Sequence, residues 1–218
     1  MTKKQRVLTA KGRKVSSTHW LKRHINDPYV HRAEQEGYRS RAAFKLEEID
    51  DKFDLISQAK YVIDMGCAPG SWMQVVQRRN SNCILIGVDL KEIESLEGAH
   101  NIISDIRDEN LYDRIALLQN SKDGKILSDL ILNDMAPNSC GNKQTDFLRI
   151  LSLLEIVIEF CEDFLLPGGS MVSKTWRYGD MTKILNPLRK KFEIVKTFKP
   201  SSSYSDSAEI FIVCKGKL

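Results

Sequence analysis

Tyr61-Val-Ile-Asp-Met-Gly-Cys-Ala-Pro-Gly-Ser-Trp72, with Cys83-Ile-Leu-Ile-Gly-Val-Asp89 following it, decides how the rest of this chain is read. A short apolar run of strand type enters a turn carrying two glycines, a helix opens at the turn, and a second apolar strand ends in a carboxylate. Gly66 and Gly70 permit backbone angles closed to other residues and leave room beside the main chain, while an acid closing the second strand suits a ribose diol. A strand-turn-helix whose glycines only shape the turn would carry the same glycine pair. Asp89 favours the alternative, a nucleotide-type cofactor site opening an α/β sheet.

The spacing is not that of a dinucleotide site, whose G-x-G-x-x-G turn needs its second glycine so that backbone can approach a pyrophosphate. Here Cys67, Ala68 and Pro69 stand between the glycines. Proline removes a donor and fixes the turn, which argues against a phosphate cradle and for a nucleoside ligand without one. S-adenosylmethionine, leaving as S-adenosylhomocysteine, meets that description. A nicotinamide dinucleotide, and with it an oxidoreductase, does not.

On either side of this stretch the two periodicities alternate. Upstream, Thr18 to Ile25 has helical spacing, and Asp27-Pro28 supplies the cap and first turn of a second helix that Gly37 ends. Ser40 caps a third, with Ala43, Phe44, Leu46 and Ile49 at apolar spacing and Lys45 among them. Downstream the pattern predicts strands at 61–65, 83–89, 101–105, 129–134, 170–176 and 192–198, interleaved with helices at 70–79, 109–120, 145–165 and 180–190. That order predicts a doubly wound, largely parallel sheet. Too few residues separate Phe198 from a last strand at 208–214 for a parallel crossover with its helix, so the final pair runs antiparallel. A seven-stranded, mostly parallel α/β sheet with an antiparallel last strand resembles the class I methyltransferase, Rossmann-like fold.

A chain of 218 residues suits one such domain, 18–218, preceded by an arm at 1–17. No acid precedes Asp27, while Lys3, Lys4, Arg6, Lys11, Arg13, Lys14, Lys22 and Arg23 are cationic, against a net charge of only +4 for the whole chain. Such a segment seeks polyanions, and Trp20, Arg39 and Arg41 extend the theme, so RNA is the expected partner. The same composition fits a transit peptide, which would place the protein in the mitochondrial matrix. The few apolar residues of 1–17 form no helical stripe, which favours the cytoplasm. Cysteines at 67, 83, 140, 161 and 214 include no C-x-x-C pair, as expected for reduced thiols without structural zinc. The most apolar segment, Ile150 to Leu166, is broken by Glu155, Glu159, Glu162 and Asp163, so no membrane span is predicted.

Four polar residues fall where a wound sheet would gather them at its carboxyl edge. Asp134 ends the fourth strand, Lys174 lies near the end of the fifth, Glu209 opens the reversed strand, and Lys45 comes from the third helix. Singly, each reads as an edge charge, a turn former or a surface partner. Together they stand within six ordered segments: Ser40-Arg-Ala-Ala-Phe-Lys-Leu46, Asp64 to Trp72, Ser104-Asp-Ile-Arg-Asp108, Asn133-Asp-Met-Ala-Pro-Asn138, Pro167 to Lys174, and Lys199-Pro200 through Glu209. In this order they resemble the motifs of the FtsJ-type ribose 2′-O-methyltransferases, over residues 17–215.

The resemblance implies a tetrad of Lys45, Asp134, Lys174 and Glu209, with Lys174 accepting the proton of a ribose 2′-hydroxyl. It also implies an S-adenosylmethionine pocket formed by Gly70, Trp72, Asp89, Asp105 and Asp134, and no metal. The implied substrate is a uridine in the A-loop of large-subunit rRNA, met as RNA or within the assembled 50S-type subunit, by a monomer. A ribose hydroxyl is a weak nucleophile that must be aligned with the methyl and lose its proton as the bond forms. A lysine of ordinary pKa, about 10.4, is almost wholly protonated at pH 7, so a base role calls for a lower one; a neighbouring Lys45 favours this, and Asp134 and Glu209 oppose it.

Two positions depart from the pattern. Ser71 stands for the usual second glycine, as in tRNA-directed relatives, and Tyr204 stands for an arginine after the paired serines. Ser71 is expected to leave cofactor binding intact, and Tyr204, with Asp206 nearby, to alter how RNA docks along that loop. Ribose of tRNA is the competing substrate. A non-catalytic ribosome-assembly protein is the competing class, and decay of the tetrad would be its signature; here the tetrad is intact.

Overall fold

The computed structural model describes residues 15–121, 125–137 and 140–218. The cations at 3, 4, 6, 11, 13 and 14 lie outside the described residues. Helix α1 covers Val15–His24, α2 Pro28–Glu36 and α3 Ala43–Phe53. Asp27 caps α2, its carboxylate accepting the Tyr29 N–H at 2.9 Å, and Gly37 closes the helix at φ +70. Ser40 does not cap α3. A turn at residues 41–42 intervenes, and the Ser40 hydroxyl accepts the Ala42 N–H within it.

The strands are β1 Tyr61–Met65, β2 Ile84–Asp89, β3 Ala99–Ile103, β4 Ser128–Asn133, β5 Leu165–Trp176, β6 Phe192–Phe198 and β7 Glu209–Lys217. Helices α4 Ser71–Arg79, α5 Asn110–Leu118, α6 Lys143–Phe164 and α7 Thr182–Arg189 complete the alternation. The spatial order is β3-β2-β1-β4-β5-β7-β6, and β7 runs antiparallel to both its neighbours. The reversed strand is therefore inserted between β5 and β6, with β6 left at the edge. Strands such as Tyr61–Met65 and Ser128–Asn133 are buried along nearly their whole length because helices cover both faces. Val62, Leu85, Leu132, Val172 and Phe211 pack toward α3 and α4; Ile63, Ile86, Ile131, Met171 and Ile212 pack toward α5 and α6.

Two strands start earlier than expected. β3 sits two residues earlier than 101–105, paired to β2 from Leu85↔Ala99 to Asp89↔Ile103; only Ile102 of this edge strand is buried, so no alternation marks its ends. β5 starts at Leu165, which pairs with Ser128 before the register shifts, and Pro167-Gly-Gly169 occupy that irregularity with Gly168 at φ +79.

β2 and β3 lie to one side of β1, and β4 to β7 lie to the other. The crevice beyond the carboxyl ends of β1 and β4 is thus the topological switch point, where open α/β sheets bind their ligands.

Candidate active site

A cavity of about 560 Å³ opens at the switch point, walled by residues 66 and 68 after β1, Asp89 on β2, residues 104–107 beyond β3, and 134–137 beyond β4. That is the size of a nucleoside-ligand pocket. The Asp89 carboxylate is aimed by two backbone donors, Ala68 N–H and Lys91 N–H, both at 2.9 Å, which leaves further lone pairs for a diol. Across the cavity Asp105 is gripped by the Arg107 side chain at 2.9 and 2.6 Å, and these bonds draw its pKa down to about 2.

The turn between β1 and α4 offers no anion cradle. Gly66 and Cys67 donate to the Val88 carbonyl, Ala68 to Asp89 and Gly70 to the Cys67 carbonyl, and Pro69 has no N–H. A pyrophosphate would find every donor of residues 66–70 engaged, whereas a ligand held by its sugar and base loses nothing.

The glycines play a different part from the one expected. A Cβ on Gly66 would lie 2.3 Å from Met135 Cγ, and one on Gly70 2.4 Å from an Arg39 guanidinium nitrogen, so protein side chains fill the space they leave. Gly70 and Trp72 accordingly do not wall the cavity. Trp72 is 2% exposed, donates its indole N–H to the Ala42 carbonyl at 2.8 Å and packs on Phe211. Apolar area drives that ring into the core, and only its main chain at the start of α4 remains near the turn.

Lys45, Asp134, Lys174 and Glu209 converge beside this cavity. Lys174 reaches the Asp134 carboxylate at 2.8 Å and also donates to the Asp134 carbonyl. Lys45 lies 2.8 Å from Glu209 and 3.9 Å from Asp134, and Ser203 donates to the other Glu209 oxygen at 2.7 Å. Antiparallel pairing makes this possible: Trp176↔Glu209 and Lys174↔Phe211 bring the start of β7 against the end of β5. Burial works against the charge on Lys45, but the Asp134 and Glu209 carboxylates outweigh it and hold its pKa above the ordinary lysine range. Burial would likewise raise Asp134, yet Lys174 and then Lys45 bring it below the ordinary carboxylate range. Asp134 is the shared member, bonded to Lys174 and forming part of the cavity wall.

Asp64 is a buried acid near Asp134 and Asp89 that the sequence does not single out. It is fully buried in β1 without a hydrogen-bond partner among the described residues, and burial, then the charges of Asp134 and Asp89, push its pKa well up. An acid inside the apolar run Tyr61–Met65 is the available signal.

Arg39 and Arg41, grouped by sequence with the basic arm, are tied into the fold. Arg39 donates to the carbonyls of Pro69 and Ser95, and Arg41 pairs with Asp27 at 2.8 Å and donates to the Ser202 carbonyl. Tyr204 lies between two guanidinium groups, Arg23 at 3.7 Å and Arg41 at 3.9 Å from its ring centroid, and Arg23 also pairs with Asp206. The loop that lacks an arginine of its own thus carries one from α1. Ser71 is 3% exposed and accepts the Ser40 hydroxyl at 2.8 Å, linking the segment before α3 to the start of α4.

Comparison with known proteins agrees with this geometry. The family model of FtsJ-like methyltransferases matches residues 38–217. A protein of Granulibacter bethesdensis named Ribosomal RNA large subunit methyltransferase E is 43% identical over 208 residues, 95% of this chain and 88% of that protein. Its namesake in Wolbachia sp. subsp. Brugia malayi is 43% identical over 214 residues, 98% and 94% of the two chains. The crystal structure of a Plasmodium falciparum protein described as a ribosomal RNA methyltransferase superposes with a TM-score of 0.71 at 33% identity, covering 83% of this chain and 99% of that one. The matched region holds the cavity and the whole tetrad in one unit, and the chain belongs to the FtsJ-like methyltransferase family.

Proposed function

We propose that the protein transfers the methyl group of S-adenosylmethionine to a ribose 2′-hydroxyl of large-subunit rRNA, at a uridine of the A-loop. One observation carries the reading: Asp134 walls the nucleoside-sized cavity and at the same time fixes Lys174, so methyl donor and hydroxyl meet across a single residue. Relatives named for large-subunit rRNA support the substrate. Ser71, the feature shared with tRNA-directed relatives, is buried against Ser40 and says nothing about RNA.

The bound cofactor supplies a methyl on a sulfonium, already an activated donor. Asp89 would hold its ribose diol, and Asp105 and Asp134 would border the rest of the ligand. Lys45 stays charged and holds Glu209 and Asp134 in place. Lys174 orients the hydroxyl and, in its neutral amine form, takes its proton as the methyl arrives. Unpaired buried thiols at Cys67, Cys83, Cys161 and Cys214 support a reducing, cytoplasm-like compartment.

The test is transfer of labelled methyl to three substrates from cells lacking the protein: assembled large subunits, their protein-free rRNA, and tRNA. Label should appear in large-subunit RNA as 2′-O-methyluridine. Label confined to tRNA would reverse the substrate.

Asp89→Ala should weaken S-adenosylmethionine binding about 10- to 150-fold, the loss of hydrogen bonds to a charged group. Unchanged affinity by calorimetry would remove Asp89 from the ribose site. Deleting residues 1–14 should weaken RNA binding and flatten its salt dependence, the slope falling by about 0.7 for each phosphate left unneutralised on a single-stranded target. An identical slope in the truncated protein would reject an RNA-binding arm.

A further inference from the structure

We propose that Trp176 is the platform on which the base of the methylated nucleotide stacks, a role that rests on reading the site as a ribose methyltransferase. Trp176 closes β5 two residues beyond Lys174, so both side chains leave the same face of the sheet, the one on which Val172 packs toward α3 and α4. Directly across it stands Glu209. The indole is half-buried. Among the described residues its ring meets no other ring or cation and its N–H meets no acceptor. Trp72 is the contrast, buried, bonded to Ala42 and packed on Phe211.

The setting favours a nucleobase over any other apolar group. Arg177 follows immediately and is exposed, and its N–H is pinned to the Ala208 carbonyl at 2.7 Å, so the platform and its cation are held rigidly against β7. Tyr178, 44% exposed, packs on Phe147 with ring centroids 5.0 Å apart and continues the aromatic rim. Aromatic rings interleaved with arginine are what unstacked bases bind. Two residues along a strand advance about 6.6 Å, so the Trp176 ring stands one strand step beyond Lys174 on the same face. With the hydroxyl at Lys174, the base of the same nucleotide lies within reach of Trp176. Stacking is tolerant of base identity, so Trp176 supplies affinity and alignment, and base choice must come from elsewhere.

The experiment compares wild type, Trp176→Ala and Trp176→Phe on unmodified large subunits and their rRNA, with S-adenosylmethionine affinity as the check on folding. Trp176→Ala should raise KM for RNA about 5- to 150-fold with kcat and cofactor affinity little changed, and Trp176→Phe should restore most of the loss. RNA should quench tryptophan emission in wild type more than in Trp176→Phe. A fall in kcat alone, unrescued by phenylalanine, would mean that Trp176 merely supports Glu209, and would overturn the proposal. So would an unchanged KM in Trp176→Ala, or equal quenching in wild type and Trp176→Phe, with wild-type methylation normal. If wild type methylates no RNA, the reading of the site fails and the platform with it.

Discussion

Replacing Lys174 with alanine is expected to lower methyl transfer by about 10²- to 10⁴-fold while leaving S-adenosylmethionine affinity near that of wild type. Lys174 is 6% exposed and directs donors at both the carboxylate and the carbonyl of Asp134, but it does not wall the cavity. Its loss removes the group that meets the hydroxyl without touching the cofactor. Lys174→Arg separates the two roles assigned to it. An arginine keeps the charge but cannot give up a proton in a protein, so it should not restore the rate if Lys174 is the proton acceptor. Single-turnover kinetics reads this directly, and near-normal turnover in Lys174→Ala would break the tetrad assignment.

Asp134→Ala should be the most damaging single change, because it removes activity and stability together. Lys174 and Lys45 have side chains only 8% and 12% exposed, and Asp134 is the carboxylate they share. Removing one partner of a buried ion pair leaves uncompensated charge and costs about 3–5 kcal/mol. Combining the change with Lys174→Met should recover part of the lost stability and none of the activity. Cofactor affinity should also fall, unlike in Lys174→Ala, because Asp134 walls the cavity. The pH dependence has a definite sign. The folded pKa of Asp134 is depressed, so its contribution is complete above the ordinary carboxylate pKa and is lost as pH falls through the depressed value. Denaturation midpoints of wild type and Asp134→Ala should therefore converge in acid and differ fully at neutral pH.

The sheet is legible where short apolar runs end in turn residues, as at Tyr61–Met65 and Ile84–Asp89, and the brief 199–208 link announces a reversed strand. β3 lies two residues from its expected place because an edge strand with one buried side chain has no period to read. Spacing places Gly66 and Gly70 in the turn, but cannot say that Met135 and Arg39 fill the space beside them. Arg39 and Arg41 carry the composition of an RNA surface, yet nearby carbonyls and Asp27 engage them. The stack of Arg23 on Tyr204 joins segments far apart in sequence, which no local pattern reveals. The tetrad's positions follow from sheet topology, whereas the roles of its members come from the family resemblance.

Mapping 2′-O-methyl groups across the total RNA of cells lacking the protein tests most directly whether this chain methylates a ribose of large-subunit rRNA. One A-loop uridine should lose its methyl, and should regain it with wild-type protein but not with Lys174→Ala. An unchanged large-subunit pattern, with a methyl missing from tRNA or from no RNA at all, would contradict it.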